Sequence, residues 1–341
     1  MKRASACALV ALSFAAPASA NPVVVTHYTW ANGTSGLGLF AAPGTLLRIA
    51  SEDLTISPDQ VRIRYELAND TAAVRNEHLE FPLPEIEVGE YWFDPAREGE
   101  WHRAVPGRHT SDSLNFIGFR VSVNAKPVAT EGWQRAYVWR GRIVDVTDEI
   151  KQAGLPVMMF GKTDALDRLP EAERRRLFDA HLLGTHDEDW QRGRYPRTYY
   201  PAWKVDTAFG WEQTFPAKGR VRVDITYQPM TGGSLEAVRG DELPWDVSGP
   251  CYQDWVFPDW TPWGIAHRSA VSYRETGYIL TTAKYWHGPI GRFHLTVDKR
   301  KPSSVLSLCW DGALAKTGPT SYEFWAVNFT PARDIRMLVL E

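Results

Sequence analysis

Strict two-residue alternation of apolar and polar side chains, recurring along the chain, is the feature that most narrows what this sequence can fold into. Val61, Ile63, Tyr65 and Leu67 alternate with Arg62, Arg64 and Glu66, and Val221, Val223, Ile225 and Tyr227 alternate with Arg222, Asp224 and Thr226. The same period governs Ile117, Phe119, Val121 and Val123, and again Phe293, Leu295 and Val297. Successive side chains of a strand point to opposite faces, so this period asks for sheets with one buried and one wet face, as in antiparallel sheets and sandwiches. Aromatic residues make up 12% of the chain, which agrees, because aromatic rings pack well on pleated surfaces. Turn-forming residues punctuate the runs: Ser57, Pro58 and Asp59; Asn69, Asp70 and Thr71; Ala217, Lys218 and Gly219; and Thr231, Gly232 and Gly233 are each expected where a strand reverses. A faint echo between the runs at Val61 and Val221 admits an internal duplication, although strands of one period resemble each other by physics alone.

One stretch departs from the period. Thr147 is placed to cap a helix over 148–153, with Gly154 as its stop. A second helix is expected from Pro170 at a first-turn position, with Glu171 and Glu173 near the positive end of the dipole and Gly184 ending it. The expected fold is therefore mainly β: two β-sandwich-like domains, 21–146 and 201–341, with an α-helical insertion and connector at 147–200 between them.

The N-terminus reads as a secretory signal. Lys2 and Arg3 precede an apolar run through Phe14, and Ala18, Ser19 and Ala20 form a small-residue cleavage box, so processing is expected before Asn21. That apolar run is well short of the roughly 20 residues that cross a bilayer, and charged residues interrupt every later candidate, so no transmembrane segment is expected after cleavage. Roughly 320 residues would remain, enough for two ordinary domains. The net charge of −3 becomes two units more negative once Lys2 and Arg3 leave, and the chain lacks basic tracts. Such a balance argues against nucleic acid as a partner, because neutralised phosphates supply most of that affinity. Of three cysteines, Cys7 falls in the signal, leaving Cys251 and Cys309. In an oxidising compartment the pair reads as one disulfide, the alternative being two buried thiols. The bridge would close a loop of roughly 58 residues and stabilise by about 4 kcal/mol in chain-entropy terms.

Several segments in order resemble a bacterial exported family known only as a domain of unknown function, number 4424. They are Ser51 to Leu54, Ile56 to Pro58 and Val61 to Glu66; Phe81 to Pro84; Asn115 to Phe119; Trp211 to Pro216; Tyr278 to Leu280; and Gly288 to Ile290 leading to Val297, Asp298 and Lys299. The resemblance implies a periplasmic or secreted protein of sandwich-like architecture in which Cys251 pairs with Cys309. It implies no catalytic residues, since none are established for the family. The Trp-rich stretch 245–263 departs from the family's pattern.

That stretch holds the candidate ligand-binding residues. Asp254, Trp255, Asp259, Trp260 and Trp263 set flat aromatic faces beside carboxylates, the chemistry that suits glycans, and Pro250, Pro258 and Pro262 make it a loop. The competing reading is that its Trp side chains pin a long loop to the sheets. His181, His186, Asp187, Glu188 and Asp189 do not have metal-ligand spacing, because histidines five apart leave a common helical face, so a solvated charged helix end is expected and no metal. Gly33, Gly36 and Gly38 do not link a strand to a helix and read as a turn segment, not a phosphate cradle. No nucleophile elbow occurs. Glu212 beside Trp211 and Glu275 before Gly277 are available acids, each read as strand-surface decoration.

The functional expectation is a non-enzymatic envelope module, without a cofactor, that binds an envelope protein or a glycan. The alternative is a carbohydrate-active hydrolase using paired carboxylates near the Trp-rich loop.

Overall fold

A computed structural model describes residues 38–41, 44–88, 112–159, 164–185, 198–237 and 270–341. In chain order the first strands are β1 (Leu47–Ile56), β2 (Val61–Asn69), β3 (Arg75–Pro82), β4 (Ile86–Glu87), β5 (Arg120–Val123), β6 (Lys126–Pro127), β7 (Glu131–Trp139) and β8 (Ile143–Asp145). Helices Thr147–Gln152, Asp164–Asp167 and Glu171–Asp179 follow. The chain continues through β9 (Leu183–Gly184), β10 (Tyr200–Pro201), β11 (Lys204–Phe215), β12 (Arg220–Tyr227), β13 (Gly232–Ala237), β14 (Ala270–Tyr278), β15 (Ile290–Asp298), β16 (Val305–Cys309), β17 (Ala315–Lys316), β18 (Ser321–Phe329) and β19 (Ile335–Leu340).

The fold is mainly β, and the alternating runs lie as their period requires: Val61, Ile63, Tyr65 and Leu67 are at most 2% exposed, while Arg62 and Arg64 face solvent. Each such apolar side chain removed from water stabilises by about 1.5–3 kcal/mol. An eight-stranded sheet runs in the order β17-β18-β15-β1-β2-β12-β5-β6. Its neighbours are antiparallel except the central pair β1 and β15, which is parallel. A five-stranded sheet is built on β3-β11-β7-β8, with β4 also on β11, and a four-stranded sheet runs β13-β14-β19-β16.

Both smaller sheets pack on the inner face of the large one. Over one half, Phe119 stacks on Phe209 of β11 at 4.6 Å and Phe81 of β3 meets Tyr227 of β12 at 5.4 Å. Over the other, the hydroxyls of Tyr65 in β2 and Tyr278 in β14 are 2.7 Å apart, and Phe293 of β15 approaches Trp310, which follows β16, at 6.1 Å. One continuous hydrophobic cluster joins the three sheets.

This arrangement corrects the expected division at 146 and 201. Strands β1, β2, β5 and β6 of the first half and β12, β15, β17 and β18 of the second are interleaved in one sheet, so the halves do not each own a sandwich. Alternation says that a strand has a buried face; it does not say which strand will pair with it. The two echoing runs turn out to be direct neighbours, with Val61 opposite Tyr227 and Tyr65 opposite Val223.

Local signals were also adjusted. Helices occupy the stretch read as helical, but Thr147 lies inside the first turn, its backbone N–H and hydroxyl both donating to Asp145 Oδ1 at 2.9 and 2.6 Å. The helix Glu171–Asp179 ends before Gly184 because His181 takes the left-handed conformation, φ 60°, and hands the chain to β9. Three turns stand where expected: Ser57 Oγ donates to the Gln60 carbonyl at 2.9 Å, Asn69 accepts from the Thr71 N–H at 3.1 Å, and Gly219 N–H donates to the Pro216 carbonyl at 3.1 Å. Gly232 and Gly233 instead open β13.

Candidate functional site

The outer face of the large sheet collects polar side chains from strands far apart in sequence. Register sets one row as Trp325, His294, Asp53, Arg64 and Asp224, on β18, β15, β1, β2 and β12. The next row is Val327, Arg292, Ser51, Glu66 and Arg222. All of these but Asp224 and Val327, together with Arg220 and Asn124, line a concavity of about 510 Å³, within the range that holds small-molecule ligands.

Two backbone features shape its floor. A β-bulge interrupts the pairing of β1 with β2 between Ile49 and Ser51, and bulges locally bend and twist a strand. Opposite it, a Cβ on Gly291 would lie 2.6 Å from the Ala50 carbonyl oxygen, so only glycine permits this approach beside Arg292.

The charges are largely paired. Arg64 Nε reaches Asp224 Oδ1 at 3.0 Å, and Arg222 holds both oxygens of Asp224 at 2.7 and 2.9 Å. Partial burial alone would raise the Asp224 carboxyl, but the two guanidiniums outweigh it and hold the group below the usual carboxylate range. Arg220 engages Glu66 closely, whereas Arg292 stands 4.0 Å from the same carboxylate and is 70% exposed. The His294 ring lies between Asp53 at 3.2 Å and Glu323 at 3.5 Å. Trp325 stacks face to face on it, 3.5 Å between ring centres at 11°, and is itself 67% exposed. The concavity thus offers guanidinium donors, carboxylate acceptors and one aromatic platform.

Directly beneath it the chemistry inverts. Glu52, between Ser51 and Asp53, points inward and is 2% exposed. Burial pushes its carboxyl up to about 8, against hydrogen bonding from Tyr65 and Tyr278. Tyr278 donates to Glu52 Oε1 at 3.5 Å, and burial raises the phenols of Tyr65 and Tyr278 as well. A void of about 10 Å³ beside this trio is walled by Leu39, Thr282 and Trp286.

The residues singled out from sequence fall in several places. Asp254, Trp255, Asp259, Trp260, Trp263 and Cys251 lie outside the described residues, as do His186, Asp187, Glu188, Asp189, Gly33, Gly36 and the signal segment. Cys309 is buried at the end of β16. Glu212 is a surface acid as expected, 76% exposed and 2.8 Å from His78 Nδ1. Glu275 is not surface decoration: within the four-stranded sheet it is 7% exposed and accepts from Arg336 Nη2, on the neighbouring strand β19, at 2.6 Å. Sequence reasoning missed Arg292, His294 and Trp325. The available signal was the complementary phase: Arg292, His294 and Thr296 alternate with the apolar run at Phe293, and Trp325 and Val327 share the exposed phase of their strand.

Fold and groove define a β-rich protein with a ligand-sized polar and aromatic concavity on an open sheet face. The family described as "Domain of unknown function (DUF4424)" matches residues 31–338, and the chain belongs to it. No curated protein matches the chain. A solved structure from Legionella pneumophila, described as a "putative nutrient binding protein", is 14% identical, with a TM-score of 0.44 over 90% of this chain and 71% of that one. At that similarity neither a ligand nor a residue role is transferred from it. Among the described residues no helix is long and apolar enough to cross a membrane, and no group of three His, Cys, Asp or Glu could hold a metal ion.

Proposed function

We propose that this chain is an exported, non-enzymatic binding module of the bacterial envelope whose ligand sits on the outer face of the large sheet. The observation that carries the reading is the 510 Å³ concavity, whose lining includes the solvent-exposed guanidinium of Arg292 and the exposed indole of Trp325. Concave, largely pre-formed surfaces with a few convergent polar groups are the ordinary form of a binding site. Export rests on the signal-like residues 1–20 and on the two remaining cysteines, read as a Cys251–Cys309 bridge.

At this groove, binding is favoured over hydrolysis by where the raised carboxyl lies. A two-carboxylate hydrolase needs an accessible acid held protonated. Asp224 is held ionised by Arg64 and Arg222, and Glu52, the carboxyl pushed up to about 8, faces the core.

The test is capture of envelope extract on the immobilised mature chain. Trp325→Ala and Arg292→Gln are expected to abolish retention of the bound component. Retention that survives both changes but is lost with Trp255→Ala and Trp260→Ala would move the site to the Trp-rich stretch. Turnover of an envelope polysaccharide that an acid-to-amide change removes would replace the reading with the hydrolase.

A further inference from the structure

Resting on that binding reading, we infer that the ligand of the groove is an acidic saccharide, its ring lying on Trp325 and its carboxylate held by Arg292. Trp325 presents the platform. One face of the indole is covered by the His294 ring at 3.5 Å, and its 67% exposure leaves the other face to solvent. An exposed Trp on a sheet face forfeits burial, and the C–H face of a pyranose is the class of surface that restores it while leaving hydroxyls free to hydrogen-bond.

Arg292 supplies the charge. Its 4.0 Å separation from Glu66 exceeds hydrogen-bond distance, so the planar fork that binds carboxylates in bidentate fashion is open. His294 is opposite Trp325, and Arg292 is two residues from His294 on the same face of β15. Diagonal cross-strand neighbours lie about 7–8 Å apart, a gap that one sugar ring with a pendant carboxylate spans. Ser51, opposite both Arg292 and Glu66, adds a hydroxyl at the middle of the floor.

The acceptors decide against a phosphate ligand. Asp53 and Glu66 flank the guanidiniums; they oppose a doubly charged phosphate more than a singly charged carboxylate, and only a saccharide brings hydroxyls that donate to them. A phosphate site would also be expected to use the free N–H groups of a loop or helix N-terminus, whereas these strands spend theirs in the ladder. The guanidiniums still give the groove a sign opposite to the chain's net charge of −3, which favours an anionic over a neutral sugar.

The experiment is a printed array of uronate and sialate oligosaccharides with their neutral counterparts, followed by calorimetry with tri-galacturonate, the neutral galactose trimer and inorganic phosphate. At least one acidic saccharide should bind tenfold or more tighter than its neutral counterpart. Trp325→Ala and Arg292→Gln should each weaken it tenfold or more, with Arg292→Lys intermediate. Both side chains are exposed, and unchanged thermal melting of the variants certifies their folds. Equal affinity for acid and neutral forms overturns the acidic class, and binding of phosphate alone overturns the saccharide; either leaves the binding module standing. So does an array with no acidic hit if envelope capture remains dependent on Trp325. Loss of that dependence as well removes both readings.

Discussion

Glu52 and Asp53 are chain neighbours in β1, one pointing into the core and the other into the groove. Asp53 meets solvent and the His294 ring, whereas Glu52 is sealed under Tyr65 and Tyr278 with its carboxyl pushed up to about 8. The same functional group faces solvent on one side of the strand and is held toward its neutral form by burial on the other. What differs is solvent access, since desolvation penalises only the ionised form. The contrast extends along β15: Phe293, Leu295 and Val297 are buried in the hydrophobic cluster, while Arg292 and His294 in the opposite phase line the groove.

The largest expected effect separates the faces outright. Phe293→Ala should destabilise by about 3–5 kcal/mol, because its ring packs on Phe329 at 4.7 Å and on Trp310, whereas surface changes at Arg292 and Trp325 should stay within about 0.5 kcal/mol. Comparable losses in chemical denaturation at inner and outer positions would break the comparison.

Next comes Glu52. Between the ordinary 4.5 and about 8 the folded chain holds a proton that the unfolded chain has released, so this group's contribution to stability falls as pH rises through that window and is flat above it. Glu52→Gln should remove that slope and be the more stable form at pH 8 and above, by on the order of a few kcal/mol. Denaturation midpoints across pH 4–9 measure it, and an unchanged slope in the variant would place the titration elsewhere.

Gly291→Ala should cost about 1–3 kcal/mol, since the obstructing atom is backbone and cannot swing away. It also tests whether the bulge shapes the groove, because ligand affinity should fall in the same variant. The smallest effect belongs to Asp224→Asn, less than about 1 kcal/mol for a pair this close to solvent. The lowered pKa of Asp224 makes its contribution present above the ordinary 3.8 and lost as pH falls through the folded value, so only the acid limb of the unfolding profile should change.

Much of this architecture was legible before any coordinates. The faces of β2, β12 and β15 follow from period alone, and three of the four expected reversals stand where Ser57, Asn69 and Gly219 placed them. Even Glu52 was readable in principle, being in phase with Leu54 and Ile56 on the apolar side of β1. The groove was less so. Its residues are contributed by β1, β2, β12, β15 and β18, and nothing local in any one strand says that Trp325 will lie beside residue 294 and share one groove with Arg64. The Trp-rich stretch drew attention because its aromatics are adjacent in sequence; Arg292 and Trp325 become adjacent only through pairing.

The sequence by itself determined which side chains are apolar, at what period they recur and where the chain can turn, because these are properties of a few consecutive residues. Tertiary structure decided that halves read as two domains share one sheet, that β1 runs parallel to β15, and that five strands pool their outward residues into one concavity. Strand partners are chosen by closing long loops around a common core, a global balance of buried surface against chain entropy that no short window of residues encodes.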